Sequence, residues 1–148
     1  MAQPIEIQVV ETYKGIPILE VSHQQSTLLS AETHGEQLEA LLRYPAERMA
    51  VIISYNNLTC SGQYGAKEQA KLYESEEFAE LGTRAVCILR YHARSLTALV
   101  ETMSAHALMA AGPSNFAPDL ETAVRAARRT IEQLVKEETL EQQPETQV

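Results

Sequence analysis

Apolar and polar residues alternate at the start of the chain. Ile5, Ile7 and Val9 stand against Glu6 and Gln8, a period of two that fits a strand with one face on a core. Lys14-Gly15 offers a turn before a second strand from Ile16 to Val21, so the chain opens with a β-hairpin. Ser22 to Glu32 carries little periodicity. Thr33-His34-Gly35-Glu36 reads as a capping box ahead of Leu38, Leu41 and Leu42, with Tyr44-Pro45 as the stop. The first helix starts at that box or earlier, near Thr27.

Met49 to Tyr55 is an unbroken apolar run rich in β-branched residues, as expected of a central strand covered on both faces. A loop from Asn56 to Gly65 leads into a second helix with Ala66, Ala70, Tyr73, Phe78 and Leu81 inward, Glu74, Glu76 and Glu77 outward, and Gly82 as its stop. Thr83 to Tyr91 repeats the buried-strand signature. Ser95 then caps a helix carrying Leu96, Leu99, Val100, Met103, Ala107 and Ala110, which Gly112-Pro113 ends. Asn115-Phe116 suits a short edge strand. Asp119 caps a last helix whose stripe, Leu120, Val124, Ala127, Ile131, Leu134 and Val135, is the cleanest helical signal in the chain.

The pattern predicts an α/β fold: a mixed four- to five-stranded sheet with an N-terminal hairpin and about four helices. Residues 1–136 form one domain. From Glu137 the chain is acidic and without aromatics, and residues 137–148 are expected to be a disordered tail.

Composition narrows the function. The 148 residues are 45% hydrophobic and 22% charged, ordinary for one globular core, and the formal net charge of -8 opposes nucleic acid. Arg125, Arg128 and Arg129 lie beside Glu121 and Glu132 on the last predicted helix, an arrangement of a solvated, ion-paired face. Neither a basic-then-apolar leader nor an apolar run near the roughly 20 residues of a membrane span occurs, so a cytoplasmic protein is expected. Cys60 and Cys87 lack the Cys-x-x-Cys spacing of zinc or redox sites. The four histidines, His23, His34, His92 and His106, show no ligand spacing, and only the fold could gather them. No metal or cofactor is expected.

The loop after the central strand holds the remaining chemistry. Cys60 is placed between a strand and a predicted helix start, where a helix dipole lowers a thiol pKa. A phosphatase-type loop would need arginine six residues on, at Ala66; Lys67 lacks the bidentate fork. Gly62-x-x-Gly65-x-Lys67 is too short for a phosphate loop and lacks its Gly-Lys-Ser/Thr ending. Leu96 to Ala110 is apolar on more than one stripe, which suits a dimer interface or an apolar ligand pocket.

Three features in order resemble the STAS domain and its bacterial SpoIIAA-like and Sec14-like relatives. Val51-Ile52-Ile53 exits into a loop with Ser61-Gly62 before a helix; Glu80-Leu81-Gly82-Thr83-Arg84-Ala85-Val86 joins that helix to the next buried strand; and Phe116-Ala117-Pro118-Asp119-Leu120-Glu121-Thr122-Ala123 looks like the family's closing strand and acid-capped helix. The resemblance covers roughly residues 8 to 135. It implies a non-enzymatic regulatory module acting through protein contacts, with a serine kinase or an anti-sigma-type regulator as partner, possible dimerisation and no nucleic acid. In such antagonists the loop reads approximately Asp-Ser-Ser-Gly and a serine is phosphorylated. Here it reads Thr59-Cys60-Ser61-Gly62, leaving Ser61 and Thr59 as phospho-acceptor candidates and Asn57, Cys60, Ser61 and Gly62 as the anion- or partner-binding loop. Ser61 also suits a plain helix cap. The alternatives are a Sec14-like carrier or sensor of a lipid or other apolar small molecule, and a thiol-dependent enzyme using Cys60.

Overall fold

The computed structural model describes residues 5–29, 31–60, 71, 74–91 and 116–142. Strands β1 (Ile5–Tyr13) and β2 (Ile16–His23) form the expected hairpin. Its two-residue turn places both Lys14 and Gly15 at positive φ, 50° and 80°, matching the right-handed twist of the strands. A bulge between Val9 and Glu11 breaks the ladder on this outermost strand, leaving Val9 and Val10 exposed and the edge irregular.

Strand β3 (Thr27–Leu29) and helix α1 (Ala31–Leu42) follow, then β4 (Met49–Ser54), β5 (Leu58–Cys60), α2 (Glu76–Gly82), β6 (Ala85–Tyr91), β7 (Phe116–Ala117) and α3 (Leu120–Gln142). The main sheet runs in the order β1-β2-β4-β6-β7, with β1 antiparallel and every other pairing parallel. This is a mixed α/β sheet with β4 at its centre. All six β4 residues are buried because both faces are covered. On one face Leu19, Val21, Val51 and Ile53 pack with Leu38, Leu41 and Leu81 of α1 and α2. On the other, Ile18, Ile52 and Leu89 meet Ala123, Ala127 and Ile131 of α3.

Several expectations are corrected. Thr33 is not a cap: α1 begins at Ala31, and Thr33 and His34 are buried within it. Thr27–Leu29 is a strand, paired in parallel with Leu58–Cys60, so part of the expected loop after the central strand belongs to a second, two-stranded sheet. The second helix is not continuous from Ala66 to Leu81, because Glu74 and Ser75 are non-helical; Ser75 caps a fresh start by accepting from the Phe78 N–H at 3.2 Å. The last helix runs past Glu137 to Gln142, where Glu138 forms a two-pronged ion pair with Arg48, so residues 137–142 are not tail. Asp119 is the cap expected of it, accepting from the Thr122 N–H at 2.7 Å. The helix expected from Ser95 to Ala110 lies outside the described residues.

One side chain fixes the α1 side of the sheet. No basic residue stands in the last turn of α1. Arg84, arriving at the start of β6, donates to the main-chain oxygens of Leu41, Leu42, Tyr44 and Ala46 at 3.0–3.3 Å. Its planar fork thus supplies a cation to the end of α1 and the turn after it, where Leu41 and Tyr44 oxygens also accept from the Tyr44 and Ala46 N–H groups.

Candidate functional site

In open α/β sheets, ligand chemistry gathers where the parallel strands end. The carboxyl ends of β2, β4 and β6 bring three features together here: a segment opening with two exposed asparagines, and one polar cluster on each face of the sheet.

The segment begins at Asn56 and Asn57, both exposed just past β4. The Asn57 side-chain amide donates to the His23 main-chain oxygen at 2.5 Å, and the Thr27 N–H donates to the Asn57 main-chain oxygen at 2.8 Å. These bonds set up the ladder in which Thr59 and Cys60 pair with Leu28 and Leu29. Cys60 is therefore the last residue of strand β5. Ser61, Gly62, Gly65 and Lys67 lie outside the described residues, as do His92 and His106.

The first polar cluster lies under α1. Register places Val21, Ile53 and Arg90 in one row across the sheet, and His23 lies two residues beyond Val21 on the same face. His34 and Gln37, one turn apart on α1, meet that row. His23, His34, Gln37 and Arg90 are all at least 95% buried. The Gln37 amide nitrogen is 2.9 Å from His23 Nε2, and among the described contacts His23 Nδ1 has no hydrogen-bond partner. Burial pushes the His34 imidazole down to about 3, helped by the nearby Arg90 charge and by His23; burial also lowers His23. Both rings are thus neutral at physiological pH.

The second cluster faces α3. Tyr91 donates its phenol to the Glu20 carboxylate, and the Asn56 N–H donates to Ser54 Oγ at 3.3 Å. Burial, then the Glu20 bond, raises the Tyr91 phenol to about 12. Cys87, further back on β6, is raised to about 11 by burial despite weak bonds to the Val51 main chain and Thr130. Both groups stay protonated at neutral pH.

The sequence pattern missed this convergence. Its one available signal was polar residues at inward registers: His23 two places beyond Val21, and His34 and Gln37 on the face shared with Leu38 and Leu41. Among the described residues no three His, Cys, Asp or Glu side chains come together as a metal site. No described helix is long and apolar enough to cross a membrane. No family model matches the chain, and neither a curated protein nor a solved structure matches it.

Proposed function

We propose that the chain is a non-enzymatic regulatory module of STAS-like type that binds a protein partner through the segment from Asn57 to Gly62. The observation that carries this reading is the position of that segment. Its described part, Asn57 to Cys60, follows the central strand β4 at the end of the sheet where parallel strands finish, with Asn57 held at its root by His23. The strand order, with an antiparallel first strand followed by parallel pairings, supports the same reading. A serine kinase or an anti-sigma-type regulator is the proposed partner, with Ser61 or Thr59 as the acceptor of a regulatory phosphate. A phosphate here would add about two negative charges to a surface that a partner reads.

The stretch from Leu96 to Ala110, on which the apolar-ligand alternative rests, lies outside the described residues.

Two experiments test the proposal. Phosphate incorporated in an extract of the source cells should disappear in a Thr59→Ala, Ser61→Ala double variant; retention at full level removes the phospho-switch. Affinity capture with wild-type protein should retain a partner that a Thr59→Glu variant loses and a control Arg125→Glu variant on α3 keeps. Equal loss in both variants, or in neither, removes the segment as the contact.

A further inference from the structure

Helices α1 and α2 flank an open groove of about 670 Å³. On α1 it is lined by Glu32, Gly35, Glu36, Glu39 and Leu42, spaced i, i+3, i+4, i+7 and i+10, which is one continuous helical face. Leu42 and the buried Leu38 give it an apolar floor, and Glu77 of α2 lines it from the other side. We infer that this groove docks a basic amphipathic helix of a protein partner. The partner's apolar stripe lies on Leu38 and Leu42, and its Lys or Arg side chains meet the carboxylates.

Three observations select this occupant. The first is charge. Four glutamates line the groove, and its described lining holds no Lys or Arg. Glu39 is paired with Arg43 in the next turn; Glu32, Glu36 and Glu77 have no ion pair among the described residues. Like charges gathered on one surface repel, and a cationic partner relieves that repulsion. A second copy docked face to face would set the same carboxylates against each other.

The second is Gly35. It lies inside α1, where glycine costs helix stability relative to alanine. Its φ is not positive, and a Cβ added there meets nothing within 4 Å, so no contact among the described residues requires a glycine. A bare backbone on the groove face does let an incoming helix approach closely. The third is shape. The 12 residues of α1 give a face about 18 Å long, enough for about three turns of a partner helix. The groove is walled by helices and offers no strand edge, so an extended peptide finds no main-chain ladder there. None of its residues belongs to the segment from Asn57 to Gly62, so the two contacts stand or fall separately.

A fluorescent synthetic peptide with leucines on one helical face and lysines on the other is the probe, read by anisotropy against the full chain. It should bind with a Kd of micromolar order that weakens as salt is raised, and its counterpart with glutamate for lysine should not bind. Glu32→Lys with Glu36→Lys should weaken binding by about tenfold or more. Glu121→Lys with Glu141→Lys on α3 changes the net charge equally and should alter binding by about twofold at most. Gly35→Ala should raise the unfolding midpoint by about 3 °C while weakening binding, and Gly35→Gln should weaken binding by about tenfold. No binding of the lysine peptide, equal weakening by the two charge-reversed pairs, or full binding by Gly35→Gln overturns the proposal. So does a dimer of the wild-type chain that Gly35→Gln dissolves, which would seat a second copy in the groove.

Discussion

Asn57 crosses the end of the sheet to donate its side-chain amide to the main-chain oxygen of His23, 2.5 Å away. The bond links the proposed contact segment to the buried cluster, since the same His23 meets Gln37 through its ring. Asn57→Ala removes a bond to a partly buried carbonyl. It should destabilise the fold by about 1 kcal/mol. The larger effect should be local, with faster amide exchange at Leu58 to Cys60 than in β4. Unchanged exchange there would mean that the ladder with β3 holds without Asn57.

Arg84 is a second point of leverage. Four main-chain oxygens, of Leu41 and Leu42 in α1 and of Tyr44 and Ala46 just after it, accept from one guanidinium. Arg84→Ala should cost about 2–4 kcal/mol in urea unfolding, and Arg84→Lys should recover only a small part, because an ammonium has no planar fork. Full recovery by lysine would show that charge alone suffices.

Acid should weaken the fold before the carboxylates titrate. His34 has an ordinary value of 6.5 and a folded value of about 3, so between these pH values the unfolded chain binds the extra proton. Stability is therefore fully present above pH 6.5 and falls as the pH drops toward 3, by about 2 kcal/mol between pH 7 and pH 5. His23, lowered by burial, acts in the same direction. Glu11 and Glu138, held below their ordinary 4.5 chiefly by hydrogen bonds from Arg128 and Arg48, lose their contribution only at lower pH. Urea unfolding of His34→Leu should show a flatter slope over pH 7 to 5; an unchanged slope contradicts the assignment.

Cys87 should be silent. With its thiol raised to about 11, iodoacetamide at pH 7 should leave Cys87 unmodified in the native protein and label it after unfolding. Rapid native labelling of Cys87 would contradict its half-buried, protonated state.

Much of the fold was legible in the sequence, and the reason differs by element. Met49 to Ser54 declares itself because a strand buried on both faces must be apolar throughout. The Val124, Ala127, Ile131 stripe and the Asp119 cap declare α3 in the same local way. The pairing of Thr27–Leu29 with Leu58–Cys60 was hidden, since three-residue strands are defined by a partner some thirty residues away and not by their own periodicity. The extension of α3 beyond Glu137 was hidden for a similar reason: an acidic run reads as tail until Arg48 is brought beside Glu138. For the site, the segment after β4 could be found by position. The His23, His34, Gln37 and Arg90 cluster could not, because it joins two strands and a helix whose adjacency exists only in the folded sheet.

The claim that the Asn57 to Gly62 segment is the contact surface is tested most directly by site-specific photo-crosslinking in the source cells. A photoreactive residue at position 57 should capture one discrete protein adduct, and the same residue at position 125 on the exposed face of α3 should not. An adduct from position 125 with none from position 57 would contradict the account.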